Sequence, residues 1–185
     1  MIIQFSRIIE YLGNLPITVL SVDNVEADDI MAYIANELYT EKENKATIVS
    51  TDRDFLQLVN DRISVWSPIK KKLYTPSLMK EEFGFSPCNY LLYRAFIGDK
   101  SDNIPGLKGV GPKSLIKYFP IICEDREITV DEIVEYAGSV EKKYKVHEIV
   151  LNNKDTLQLN HQLMQLKEVD IHGGAKLVTL DKVKG

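Results

Sequence analysis

A chain of 185 residues with 44% apolar content has room for one large domain or two small ones, each with a core. Its net charge of −4 argues against a simple basic coat for nucleic acid, and no apolar run approaches the roughly 20 residues of a membrane span. Cys88 and Cys123 lack metal-type spacing, so a reducing cytoplasm and ordinary packing are expected for them.

In chain order, residues around Gln4 to Leu12 read as an amphipathic helix, because Arg7 and Glu10 interrupt the apolar run too early for a signal peptide. Ile17-Thr18-Val19-Leu20 is a β-branched run that predicts a buried strand. Asp23 or Asn24 can cap a following helix whose apolar stripe is Ile30, Met31, Ile34, Ala35 and Leu38. Thr47-Ile48-Val49-Ser50 repeats the strand signature, with Thr51-Asp52-Arg53-Asp54 at its C-terminal end and a short helix from Phe55. Ile63-Ser64-Val65-Trp66 predicts a third strand, and Lys72-Leu73-Tyr74 can pair with it through the Ser67-Pro68 turn. This is an α/β order with parallel strands, in which ligands meet the carboxyl ends of the strands.

From Pro76 onward the strand signal fades. Helices are predicted near 76–83, 87–97, 112–119, 130–137, 140–151 and 155–166, an all-α second half beginning near Pro87. The segment after Glu168, with Gly173-Gly174, reads as a loosely held tail.

The acids fall in three clusters: Glu26, Asp28 and Asp29; Asp52 and Asp54; Asp99 and Asp102. Taken singly, an acid pair at a helix start is usually a cap, and Asp52 and Asp54 suit a turn. If the fold gathers all three clusters, bound cations are the natural compensation, and carboxylates without His or Cys point to Mg²⁺ or Mn²⁺. Directly after Asp102 come Gly109 and Gly111, Pro112 opening a helix, and Lys108 and Lys113, which together make a phosphate cradle. Residues 61–120 hold ten Lys/Arg against five Asp/Glu, a basic middle in an acidic whole. Within it, the run Lys70 to Lys72 reads first as a solvated turn. The three histidines have no partners at ligand spacing and read as surface or tail residues. Trp66, Tyr90, Tyr93 and Phe96 read as core, and Arg94 and Lys100 are open between phosphate contact and plain surface.

Val25-Glu26-Ala27-Asp28-Asp29, Ser50 through Val59, Gly98-Asp99-Lys100-Ser101-Asp102-Asn103-Ile104-Pro105-Gly106, and Gly109-Val110-Gly111-Pro112-Lys113 occur in that order. The set resembles the structure-specific 5′ nucleases: flap endonucleases, bacteriophage 5′–3′ exonucleases and the 5′ nuclease domain of bacterial DNA polymerase I. The resemblance implies a PIN-like α/β core over 1–87, a helix–three-turn–helix (SAM-like) DNA-binding domain over 88–168, and a tail over 169–185. It implies a first metal position with Glu26 and Asp28, and a second with Asp52, Asp54 and Asp99, with Asp29 and Asp102 nearby or acting through water. Two ions would hydrolyse phosphodiesters at 5′ ends or flaps of branched DNA in replication or repair. Gly109, Val110 and Gly111 would offer amides to the duplex, with a K⁺ ion and with Lys108, Lys113 and Lys117 assisting.

Only 25 residues precede Glu26, and they supply neither the strand-end Asp nor the basic helical arch of the resembled family. The expectation is therefore a fragment, one half of a split nuclease whose N-terminal half is a separate polypeptide, or a short form, and feeble cleavage by the isolated chain. The alternative from another class is a non-catalytic module that binds duplex or junction DNA through the glycine hairpin. An unrelated α/β protein with another phosphoryl chemistry is a third. The expected surroundings are the cytoplasm of a bacterium or a phage-infected host, without membrane.

Overall fold

The computed structural model describes residues 2–38, 40–41 and 43–184. The chain opens with helix α1 (Ile2–Leu12), of which the described Ile8, Ile9 and Tyr11 are exposed. Helix α2 (Ala27–Tyr33) follows and runs into a π-helical turn over Ile34–Leu38. Its N-cap is Glu26, not Asp23 or Asn24; Asn24 sits at φ +58° in the preceding turn.

Strand β1 (Ala46–Val49) pairs in parallel with β2 (Ile63–Ser67), Ala46 facing Ile63 and Val49 facing Trp66. Between them a 3₁₀ turn over Asp54–Leu58 buries Phe55, Leu56 and Leu58 beneath the sheet. Strand β3 (Lys72–Tyr74) folds back antiparallel on β2, so the order is β1-β2-β3. The alternation of buried and half-buried residues along β2 matches a strand with one face in the core.

The predicted strand at Ile17–Leu20 does not form. Both edges of β2 are taken, residues 17–20 do not reach the outer edge of β1, and Ile17 and Val19 lie exposed. Intrinsic β-propensity without a ladder to join leaves extended coil. Leu20, Val22 and Val25 still rest partly buried on the first core.

Helix α3 (Pro76–Phe83) starts on a Thr75 cap and stops at Gly84, which takes φ +80°. The chain then becomes helical: α4 (Tyr90–Ile97), a two-stranded β4 (Gly98–Asp99) and β5 (Ile104–Pro105), α5 (Pro112–Tyr118), α6 (Val130–Ser139), α7 (Lys145–Leu151), α8 (Lys154–Met164) and α9 (Gly173–Lys184). No helix among the described residues is long and apolar enough to cross a membrane.

Two cores result. The first joins the sheet, α2 and Met79, Phe85 and Tyr90. The second gathers Leu92, Ala95, Phe96, Leu115, Phe119, Ile133, Val150 and Leu157 from the later helices. Helix α4 serves both, with Tyr90 in one and Phe96 in the other.

The expected loose tail, 169–185, is instead folded over its described residues, 169–184. Val169, Ile171 and Ala175 are buried in the first core, and the His172 ring accepts the Ala175 N–H (3.1 Å) at the start of α9. Two glycines had hidden a short apolar anchor. His147 also departs from expectation: it is buried, not a surface residue.

Candidate active site

Asp52 and Asp54 stand just past the end of β1, where a parallel sheet presents its ligands. The Asp54 N–H donates to Asp52 Oδ1 (2.7 Å), and the Asp52 N–H donates to Ser50 Oγ (3.0 Å). Asp52 thus acts as a turn former as well as an acid.

Asp99 arrives from the other unit on a backbone that only glycine allows. Gly98 sits at φ +73°, and a Cβ there would lie 2.3 Å from Gly106 N. A Cβ on Gly106 would lie 2.0 Å from Ile97 O. The chain passes so close to itself that residues 98–106 form a tight loop with its acids aimed back at the sheet. Asn160 of α8 fastens this loop, donating to Ala95 O and Pro105 O (both 2.9 Å).

Carboxylate oxygens of Asp54, Asp99 and Asp102 lie within 4.8 Å of one another. Asp102, expected in an outer place, is the third member of this group, while Asp52 has one oxygen turned to the Asp54 amide. Asp28 stands close enough that, after burial, the charges of Asp52, Glu26, Asp29 and Asp102 raise its pKa. Asp29 is raised by burial and Glu26. The fold therefore gathers all three acidic clusters in one region.

One residue, left open in the sequence between phosphate contact and plain surface, takes neither place. Arg94, on α4, is 8% exposed and sits between two of the acids. Its Nη2 donates to Asp99 Oδ2 and lies 2.8 Å from Asp54 Oδ1. A lone arginine in the apolar run Tyr90–Ile97, four residues before Gly98, was the available signal. A buried guanidinium in an apolar helix needs carboxylates.

The two acids it touches titrate apart. Burial pushes Asp54 up to about 6, against the pull of Arg94. The Ser101 hydroxyl and amide, with Arg94, hold Asp99 at about 2. Asp54 Oδ1 is buried, and the Arg94 guanidinium 2.8 Å away meets it as an ion pair outside hydrogen-bond geometry. Three converging carboxylates, with oxygen the only donor type, fit a hard divalent cation.

Beyond the acids lies the glycine hairpin. Gly109 takes φ +93°, and the N–H groups of Gly109 and Gly111 have no acceptor among the described residues. Val110 differs from expectation. Its N–H donates to Leu107 O (3.1 Å) and its side chain is in the second core, so it shapes the hairpin rather than facing outward. Lys108 borders the hairpin's groove, and Lys113 and Lys117 are exposed on α5.

Residues 1–84 match the model of the N-terminal resolvase-like domain of 5′-3′ exonucleases. The chain is 34% identical over 169 residues to a 5′-3′ exonuclease of Aquifex aeolicus and 31% identical over 182 residues to one of Buchnera aphidicola. The chain is similar in sequence to these 5′-3′ exonucleases.

Those alignments take in 89% and 97% of the chain but only 53% and 63% of the relatives, so it spans between half and two thirds of their length. A DNA polymerase I of Thermus thermophilus is 41% identical over 62% of the chain. Among solved structures, the bacteriophage T5 5′-exonuclease with divalent metal ions (zinc) bound matches over 98% of this chain and 68% of its own, with a TM-score of 0.77 at 22% identity. The T5 flap endonuclease in a complex with DNA and metal ions matches with a TM-score of 0.73 over 96% of this chain and 65% of its own, at 22% identity. These likenesses show the fold: mixed α/β with a small parallel sheet, resolvase-like.

Proposed function

We propose that the chain carries metal-holding acids and the DNA-gripping unit of a divalent-metal-dependent 5′ nuclease that hydrolyses phosphodiesters at 5′ ends or flaps of branched DNA. The observation that carries this reading is the convergence of Asp54, Asp99 and Asp102 within 4.8 Å. In this reading the helical unit is a helix–three-turn–helix DNA-binding domain, and the PIN-like core reaches full activity with a further N-terminal portion, on this or another polypeptide.

Asp54, Asp99 and Asp102 would hold Mg²⁺ or Mn²⁺, and Asp28, Glu26 and Asp52 lie toward a second position. A bound ion there supplies positive charge for the phosphoryl oxygen and an acidified water. The chain's own residues do the rest. Arg94 orients the facing oxygens of Asp54 and Asp99, and Ser101 fixes the other oxygen of Asp99. The amides of Gly109 and Gly111, with Lys108 and Lys113, hold the duplex backbone, and a K⁺ ion at the hairpin would add to that grip.

Mn²⁺ calorimetry on the chain and on Asp99→Ala/Asp102→Ala tests the assignment. Binding lost in the variant supports it; binding unchanged overturns it. One observation favours the second reading, a DNA-binding module without chemistry: Arg94 already neutralises Asp54 and Asp99 without a metal. Absence of Mn²⁺ binding in both proteins, with duplex binding retained, is the result that module requires.

A further inference from the structure

A groove of about 650 Å³ runs beside the hairpin, between it and the start of α7. Lys108 and Gly109 form one wall, Tyr118 of α5 lies in it, and Tyr144, Lys145 and Ile149 form the other. A Cβ on Gly109 would lie 3.4 Å from Ile149 Cδ1, so hairpin and α7 are in close contact.

Buried His147 ties the walls together. Its Nδ1 accepts the Tyr144 N–H (3.1 Å), which leaves Nε2–H to donate to Tyr118 O (3.2 Å). The rings of Tyr118 and Tyr144 stand 4.9 Å apart, and His147 packs edge-on against both. This is a fixed frame rather than a floppy basic loop.

The charges around the frame are unpaired. Lys108, Lys113, Lys117, Lys142, Lys143 and Lys145 make no ion pair among the described residues, whereas Lys70, Lys72, Lys80, Lys154, Lys167 and Lys176 each meet a carboxylate. Glu141 and Glu148 are exposed nearby and pair with none of the six. Lys117 Nζ lies 5.1 Å over the Tyr118 ring and Lys142 Nζ 5.5 Å over that of Tyr144. Ammonium groups over the tyrosine faces compete with base stacking and present positive charge instead.

We propose that the α6–α7 connection and the start of α7, through Lys142 and Lys145, form a second phosphate-binding wall. With the hairpin it clamps the sugar-phosphate backbone of duplex DNA. The inference rests on the DNA-binding reading above and extends it to an element none of the four sequence motifs contains.

The test is fluorescence anisotropy of a short labelled duplex against KCl concentration, for the full chain, Lys142→Ala/Lys145→Ala, Lys142→Arg/Lys145→Arg and Lys108→Ala/Lys113→Ala. The alanine pair at 142 and 145 is expected to lower the slope of log K on log salt by about 1.8, about 0.9 per phosphate contact, and the arginine pair to keep it. Both pairs should melt with the parent, since all four positions are exposed. An unchanged slope in the alanine pair, with binding weakened by the hairpin pair, overturns this inference and leaves the DNA reading standing. Failure of the parent chain to bind duplex at all overturns both. A larger loss on a single strand of equal length than on the duplex overturns the choice of duplex.

Discussion

The acidic end of the sheet and the lysine-lined hairpin gather charge of opposite sign, and they hold it in different ways. The acids are crowded and partly buried, so they need a fixed frame and a countercharge: a backbone crossing that admits only glycine, and Arg94 between Asp54 and Asp99. The lysines are exposed, lie on a fully packed helical core, and need no countercharge to stay folded. Like charge is tolerated at the surface by hydration, whereas in a half-buried cleft it must be neutralised or displaced. Stability and function should therefore be strongly linked at the first site and nearly separate at the second.

The largest break in that comparison is expected from Gly98→Ala. A methyl 2.3 Å from Gly106 N cannot be absorbed, and a loss of more than about 4 kcal/mol by urea unfolding is expected, with Asp99 displaced. Gly111→Ala, with no atom within 4 Å of its Cβ, should be nearly neutral by the same measurement. Normal stability in Gly98→Ala would remove the argument for a backbone-locked site.

Next comes Arg94→Ala, which leaves two half-buried carboxylates without their cation. A loss of about 3 kcal/mol is expected in chelator, most of it recovered on adding Mn²⁺, which replaces the missing charge. A loss that Mn²⁺ does not reduce would mean that Arg94 serves packing alone.

Asp54→Asn should act in the other direction. Because the folded-state pKa of Asp54 is raised to about 6, its share of stability is present below the usual carboxylate range and is lost as pH rises through about 6. Asn removes that loss, so the metal-free variant should gain about 1–3 kcal/mol at pH 8 and show a flatter profile between pH 4 and 6. Asp99, held at about 2, acts oppositely: its contribution persists above pH 4 and fades only as pH falls toward 2. Thermal melts across this range check both. A parent profile that rises between pH 4 and 6 would contradict the Asp54 assignment.

The smallest stability effect belongs to the lysines. Lys113→Ala and Lys145→Ala should each shift stability by less than about 0.5 kcal/mol while weakening duplex binding. A large stability change there would erase the contrast between the two regions.

Much of this arrangement was legible in the sequence, and the failures share a cause. Short β-branched runs and turn residues located β1, β2 and β3, and the acids after β1 fell where parallel sheets place ligands. The glycine spacing located the hairpin. What the sequence did not reveal was which element faces which. Ile17–Leu20 has strand propensity but no ladder to join. Arg94 reads as a lone charge until α4 is set against the 3₁₀ turn. Gln57 looks like an ordinary helix-turn residue, yet it donates to Asp54 O and Met164 O (both 2.9 Å) and accepts from Leu166 N (2.8 Å), joining the acid-bearing turn to the end of α8. His147 and the 169–175 anchor were missed for the same reason: the partners lie far away in the chain.

That anchor has a consequence for how the protein is made. Leu166, Val169, Ile171 and Ala175 complete a core whose other members are nearly all encoded before residue 91. A chain emerging vectorially from the ribosome can close its helical unit, whose core runs from Leu92 to Leu157, before its own sheet has a lid. The later unit is thus positioned to mature first, and the nascent sheet waits, with its apolar floor open, for residues 166–175.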